Sequence, residues 1–115
     1  MANEKKKFLV KMTQSAEKDL TEIIMVVFQN NPKTAAEVLK RIQKKINALD
    51  TSPTKGRYVP ELFSRHIKDY RQIIEGSWKI IYRIDDNVVS VLAITVSRRN
   101  LHDLLEETLS SSGLF

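Results

Sequence analysis

The chain has 115 residues, 42% of them hydrophobic, a length that supports one domain with a single core and leaves no room for a second. It contains no cysteine, which excludes a disulfide framework, a thiolate zinc site and a cysteine nucleophile. The formal charge of +5 favours approach to polyanions or to an acidic protein.

The N-terminal MANEKKKFLVKM carries a basic run and only a three-residue apolar stretch, too short for a signal-peptide core. No later segment approaches a membrane span. The expected setting is therefore the reducing cytoplasm, with no membrane partner.

Residues 6–12 predict a first strand, with Phe8 and Val10 on one side and Leu9 and Lys11 on the other. Thr13 or Ser15 can then cap a helix, with Glu17 and Asp19 near its positive N-terminal end. Ala16, Leu20, Ile23, Ile24, Val27 and Phe28 form its apolar face. Met25 and Val26 fall off that face and are candidates for a surface where another protein docks.

Asn31 and Pro32 suit the N-cap and first position of a second helix, because proline there loses no hydrogen bond. Ala35, Leu39, Ile42, Ile46 and Leu49 make its inward stripe, while Lys33, Lys40, Lys44 and Lys45 decorate a solvated side. The short connection implies an antiparallel helical hairpin.

Residues 51–69 show no periodicity and hold two of the three prolines, reading as a long loop and a candidate site rim. A β-meander follows. Ile73 and Ile74 lie in its first strand; Trp78, Ile80, Tyr82 and Ile84 alternate with Lys79, Ile81 and Arg83 in its second; Val88 to Val96 form the third. Gly76-Ser77 and Asp85-Asp86-Asn87 provide the turns. Trp78, in phase with the apolar side, is expected in or beside the core. After the meander, Asn100 is placed to cap a last helix with Asp103 at its third position and Leu101, Leu104 and Leu105 as its stripe. The expected fold is α+β, a helical hairpin packed on a small, mainly antiparallel four-stranded sheet in the order β-α-α-β-β-β-α. Residues 1–109 form the single domain and 110–115 a disordered tail.

These residues together resemble the RelE/ParE superfamily of type II toxin-antitoxin toxins. The likeness runs through Ala16 to Leu20, the NNPKTA junction, Pro53, Gly56 and Arg57, and the VPEL of Val59 to Leu62. It continues through Tyr70-Arg71, the WKIIYRI strand and the terminal Arg98 to Leu101. The resemblance implies a cognate antitoxin, small, acidic and partly disordered, that wraps the toxin and assembles with it, and it implies no cofactor. Met25 and Val26 are the candidate antitoxin contacts. RelE-like members cut messenger RNA in the ribosome, and ParE-like members poison DNA gyrase.

Metal-independent RNA cleavage needs a base, an acid and cations near the phosphate. The candidates for that chemistry are Glu61, matching a loop glutamate of RelE-like toxins, with Lys79 and Arg83 on one strand face. RelE-like toxins also draw on a histidine or tyrosine near the end of the last strand; here Thr95, Val96 and Ser97 stand there. A histidine is a natural candidate for the base, but His66 and His102 read as part of the loop and of the terminal helix. No nucleophile elbow and no histidine spacing for a metal is present. The Arg98-Arg99 pair instead resembles the ParE-type ending, although Val96 and Ser97 replace its usual histidine and glycine. The sequence therefore favours a gyrase poison whose target contacts are Arg98 and Arg99, supported by Arg71 and Arg57. A ribosome-dependent endoribonuclease is the alternative, and an inactive relic that only binds antitoxin is a second.

Overall fold

The structure is a computed structural model that describes residues 7–63, 65, 66 and 69–97, without the side chain of Glu61. Strand β1 (Leu9–Met12) leads into α1 (Gln14–Asn30) and α2 (Pro32–Asn47). Two 3-10 turns, Ala48–Asp50 and Pro53–Lys55, precede β2 (Arg57–Tyr58) and the short α3 (Pro60–Phe63). The meander is β3 (Tyr70–Glu75), β4 (Trp78–Asp85) and β5 (Val88–Val96). The expected terminal helix and tail lie outside the described residues.

The α+β architecture is as expected, but the sheet has five strands, ordered β1-β5-β4-β3-β2, where four were predicted. The extra strand is β2, two residues of the supposed loop that pair antiparallel with Arg71 and Gln72. β1 lies parallel to β5, the first and last strands of the described chain, and the other pairings are antiparallel. The turns are as read: Gly76 has φ 61° and Asp86 φ 54°, both left-handed.

Capping sets the hairpin. The Thr13 hydroxyl accepts the Ala16 N–H at 3.1 Å, and Asn31 Oδ1 accepts the Thr34 N–H at 3.2 Å with Pro32 at the first position. Where β1 ends, α1 takes over the edge of β5: Asp19 Oδ2 accepts the Ile94 N–H at 3.0 Å. Asp19 thus closes an open backbone group of the sheet, a role beyond the helix-end electrostatics expected of it.

Two helix assignments change. Val38 is buried on α2 and Leu39 only half-buried, so the inward stripe runs Ala35, Val38, Ile42, Ile46. Phe28 is 56% exposed. At about 100° per residue, Phe28 sits about 120° around α1 from Ala16, which carries it off the face that Leu20, Ile23 and Val27 share.

The main core lies between the hairpin and one face of the sheet, where Ile42, Ile46, Leu49, Ile80, Tyr82, Val89, Val91 and Ile94 are buried, with Trp78 packed against them. A second core covers the opposite face. There Val59, Leu62, Ile81 and Ala93 are buried, with Tyr70 against them. Residues 57–63 fold back over the sheet, so Ile81, read as the outward side of β4, is buried, and Lys79 on the same side is buried as well. A register shift in the β4–β5 pairing after Ile81 keeps β5 inward on both faces.

Candidate functional site

Three of the candidate cations share the sheet face away from the hairpin. Arg57 stands opposite Gln72, Gln72 opposite Ile81, and Lys79 and Arg83 flank Ile81 on the same side of β4. Lys79 and Arg83 are about 13 Å apart along the strand. Between them lies the apolar cap of Val59 and Leu62 on Ile81. Lys79 is only 4% exposed. Arg83 Nε donates to Asp85 Oδ2 at 2.9 Å. That hydrogen bond is the main cause raising the Arg83 pKa above its usual value; burial opposes it, and the Asp85 charge and Tyr70 reinforce it.

Arg71 is not in this group. It faces the hairpin side, beside Tyr82, and is turned onto the 53–58 segment. Its Nη1 donates to the carbonyls of Gly56 at 2.8 Å and Thr54 at 3.3 Å, and its Nη2 to the Tyr58 hydroxyl at 3.1 Å. Its guanidinium carbon lies 4.3 Å from the Tyr58 ring centroid, a cation–π contact. Tyr58 in turn packs on Phe63 with ring centroids 5.6 Å apart.

Tyr82 completes the clamp from inside the sheet. Its hydroxyl accepts the Gly56 N–H at 3.0 Å and donates to the Pro53 carbonyl at 2.5 Å. Burial raises its pKa above 10.0, while the Gly56 bond and the Arg71 charge pull the other way. Gly56 is required by space: a Cβ there would meet the Tyr82 hydroxyl and stand 2.8 Å from the Gln72 carbonyl. Nothing in the local pattern singled out Tyr82 beyond its place in the apolar stripe.

Of the remaining candidates, Arg57 is exposed on β2 and has no ion pair among the described residues. His66 is exposed with φ 68°, at a turn after α3. Arg98 and Arg99 lie outside the described residues, as do His102 and the Glu61 side chain. The described chain ends where Ser97 N–H donates to the Ser77 carbonyl at 2.8 Å, placing the end of β5 beside the β3–β4 turn. Among the described residues no cluster of three potential metal ligands occurs, and no helix is long and apolar enough to cross a membrane.

Met25 and Val26 are 58% and 60% exposed. Met25 lines a shallow depression of about 350 Å³ with Ile24, Phe28 and Gln29.

Residues 10–101 match the family described as the ParE toxin of the type II toxin-antitoxin system parDE. The chain belongs to this ParE toxin family. It is thus a toxin of the type II toxin-antitoxin class within the RelE/ParE superfamily.

Solved structures share the fold at low identity. A chain of the chromosomal ParDE system of P. aeruginosa aligns with TM-score 0.65 and 18% identity over 78% of this ParE-family chain and 96% of its own. The RelBE2 toxin-antitoxin complex of Mycobacterium tuberculosis gives 0.57 and 20% over 85% and 100%. A mutant E. coli toxin RelE in the free state gives 0.62 and 15% over 91% and 97%. No curated protein matches the sequence.

Proposed function

We propose that this ParE-family toxin arrests growth by poisoning DNA gyrase and is held inactive by a cognate acidic antitoxin. The observation that carries the choice of target is the state of the face where RNA cleavage would have to occur. Lys79 is buried there, Arg83 is tied to Asp85, and Val59 and Leu62 cover the strand between them. An in-line attack on a phosphodiester needs an open surface with a base and an acid beside its cations. Among the described residues two of the three cations on this face are covered or already paired, and Arg57 alone stands exposed. The match to ParE toxins along residues 10–101 supports the same branch.

In this reading Arg98 and Arg99 contact the target where β5 ends, and Arg57 adds an exposed cation from β2. Arg71 serves by holding β2 in place, which is a positioning role. The antitoxin is assigned to the α1 surface that carries Met25 and Val26.

The ribonuclease reading keeps one observation in its favour, the placement of Arg57, Lys79 and Arg83 on a single face. Purified protein decides between them. Inhibition of supercoiling by purified gyrase with no ribosome present is the expected result. Cleavage of message on programmed ribosomes, lost on substitution of Glu61, Lys79 or Arg83 and with gyrase unaffected, would overturn it. Growth arrest that fails to appear on induction would favour the inactive relic.

A further inference from the structure

The end of α2, the 51–57 segment and β3 border a cleft of about 380 Å³, a size that takes one small ligand. Three cations stand in its wall, each on a different element: Lys45 in the last turn of α2, Lys55 on the second 3-10 turn and Arg57 on β2. All three are exposed, and none has an ion pair among the described residues. The described lining holds no acid, and Glu75 farther along β3 is engaged by Arg41 at 3.6 Å. Leu49, Ile73 and Ile74 supply the apolar part of the wall. Cations without counter-charge beside apolar surface suit an anion carried on an apolar body better than a bare ion.

Gln72 adds an independent feature. It also lines the cleft, and across the β2–β3 ladder it stands directly opposite Arg57, so the two side chains share one face. Gln72 is 8% exposed, and its Oε1 is buried with no hydrogen-bond partner. A buried acceptor left unpaired costs stability, yet the fold keeps this one next to a guanidinium that does not bond to it. What the acceptor lacks is an N–H donor. A nucleotide brings all the matching parts together: phosphate for the ammonium groups, a flat ring for the apolar wall and the guanidinium plane, and an exocyclic amino group for the amide oxygen.

We propose that this cleft binds a single nucleoside phosphate, with the phosphates on Lys45 and Lys55, the base between Arg57 and Ile74, and its amino group donating to Gln72 Oε1. The site is separate from Met25 and Val26 and does not depend on which target the toxin poisons. A ligand there joins α2 to the segment that Arg71 and Tyr82 hold, so it should steady residues 51–57.

Calorimetry of the full chain with ADP is the test. It should show saturable one-site binding, about tenfold or more tighter than adenosine or inorganic phosphate alone. Hydrogen exchange within residues 51–57 should slow when ADP is added. Lys45→Ala with Lys55→Ala should weaken ADP binding about tenfold or more. Lys33→Ala with Lys40→Ala removes as much charge from exposed positions of α2 outside the cleft and should change it by less than about twofold. Gln72→Leu deletes an unpaired buried acceptor, so it should melt no lower than wild type. It should also abolish the preference for ADP over the diphosphate of purine riboside, which lacks the amino group. No binding of ADP, or equal loss in the two lysine pairs, overturns the site, the second outcome reducing it to diffuse charge attraction. An ADP preference that survives in Gln72→Leu overturns the placement of the base. Should Gln72→Leu not fold, the two lysine pairs and the exchange measurement still decide.

Discussion

The Tyr82 hydroxyl accepts the Gly56 N–H at 3.0 Å, joining the middle of the central strand to a segment 26 residues earlier. The same hydroxyl donates to Pro53, so one buried oxygen satisfies two backbone groups of the 53–56 turn. Tyr82→Phe removes the oxygen and leaves both groups buried without partners. The expected cost is about 1–3 kcal/mol, read as a lower denaturant midpoint with an unchanged slope. Gly56→Ala should cost at least as much, because the new methyl collides with the same hydroxyl.

A pH titration of stability provides a second reading of that site. Burial raises the Tyr82 pKa, so the folded protein holds this proton more tightly than the unfolded chain does. The contribution is fully present below pH 10.0, the unfolded value, and is lost as pH rises beyond it through the folded value. Wild-type stability should therefore fall more steeply above that pH than the stability of Tyr82→Phe. Parallel curves would show that the phenol titrates alike in both states.

Arg71 distinguishes a clamp from a target contact. As a clamp it should affect stability and toxicity together: Arg71→Ala loses the bonds to Gly56, Thr54 and Tyr58 and should cost about 1–3 kcal/mol. Arg71→Lys, lacking the planar fork, should recover only part of it. Limited proteolysis within residues 51–58 should accelerate in step. Loss of toxicity with wild-type stability and protease resistance would make Arg71 a direct contact.

Met25→Glu with Val26→Glu changes two exposed side chains, so folding should be preserved within about 0.5 kcal/mol. Affinity for the antitoxin should drop by about tenfold or more, since a charge would be buried against an apolar partner. Equal affinity, measured by calorimetry on the folded variant, would place the antitoxin elsewhere than on α1.

Arg98→Ala with Arg99→Ala should abolish growth arrest while circular dichroism and melting stay at wild-type values. Lysine replacements should be impaired as well, because a guanidinium makes bidentate contacts that an ammonium does not. Full toxicity of the double alanine variant at the wild-type dose would remove the pair from the site.

By itself the sequence determined the parts that depend on near neighbours. Thr13, one of the two residues read as a cap, and Asn31 cap their helices, Gly76 and Asp86 turn the meander, and Trp78 packs with the main core. The period of two in β4 and of 3.6 in the hairpin is a local record of burial on one side, and it was legible for that reason. Even here α1 showed the limit of pattern, since Phe28 continues the apolar series but has rotated away from the sheet.

Only the tertiary structure decided what covers the other face. Residues 51–69 have no period, so nothing in them announced β2, α3 or a second core on Ile81 and Ala93. Ile81, which reads as the outward side of an alternating strand, is buried because that segment folds over it, and Lys79 on the same side is buried too. Arg71, Gly56 and Tyr82 form one unit although the chain separates them by up to 26 residues, and Asp19 reaches Ile94 across 75. Such contacts follow from which strands become neighbours. Strand order is fixed by the packing of the whole sheet against the hairpin, a choice that no single stretch of residues encodes.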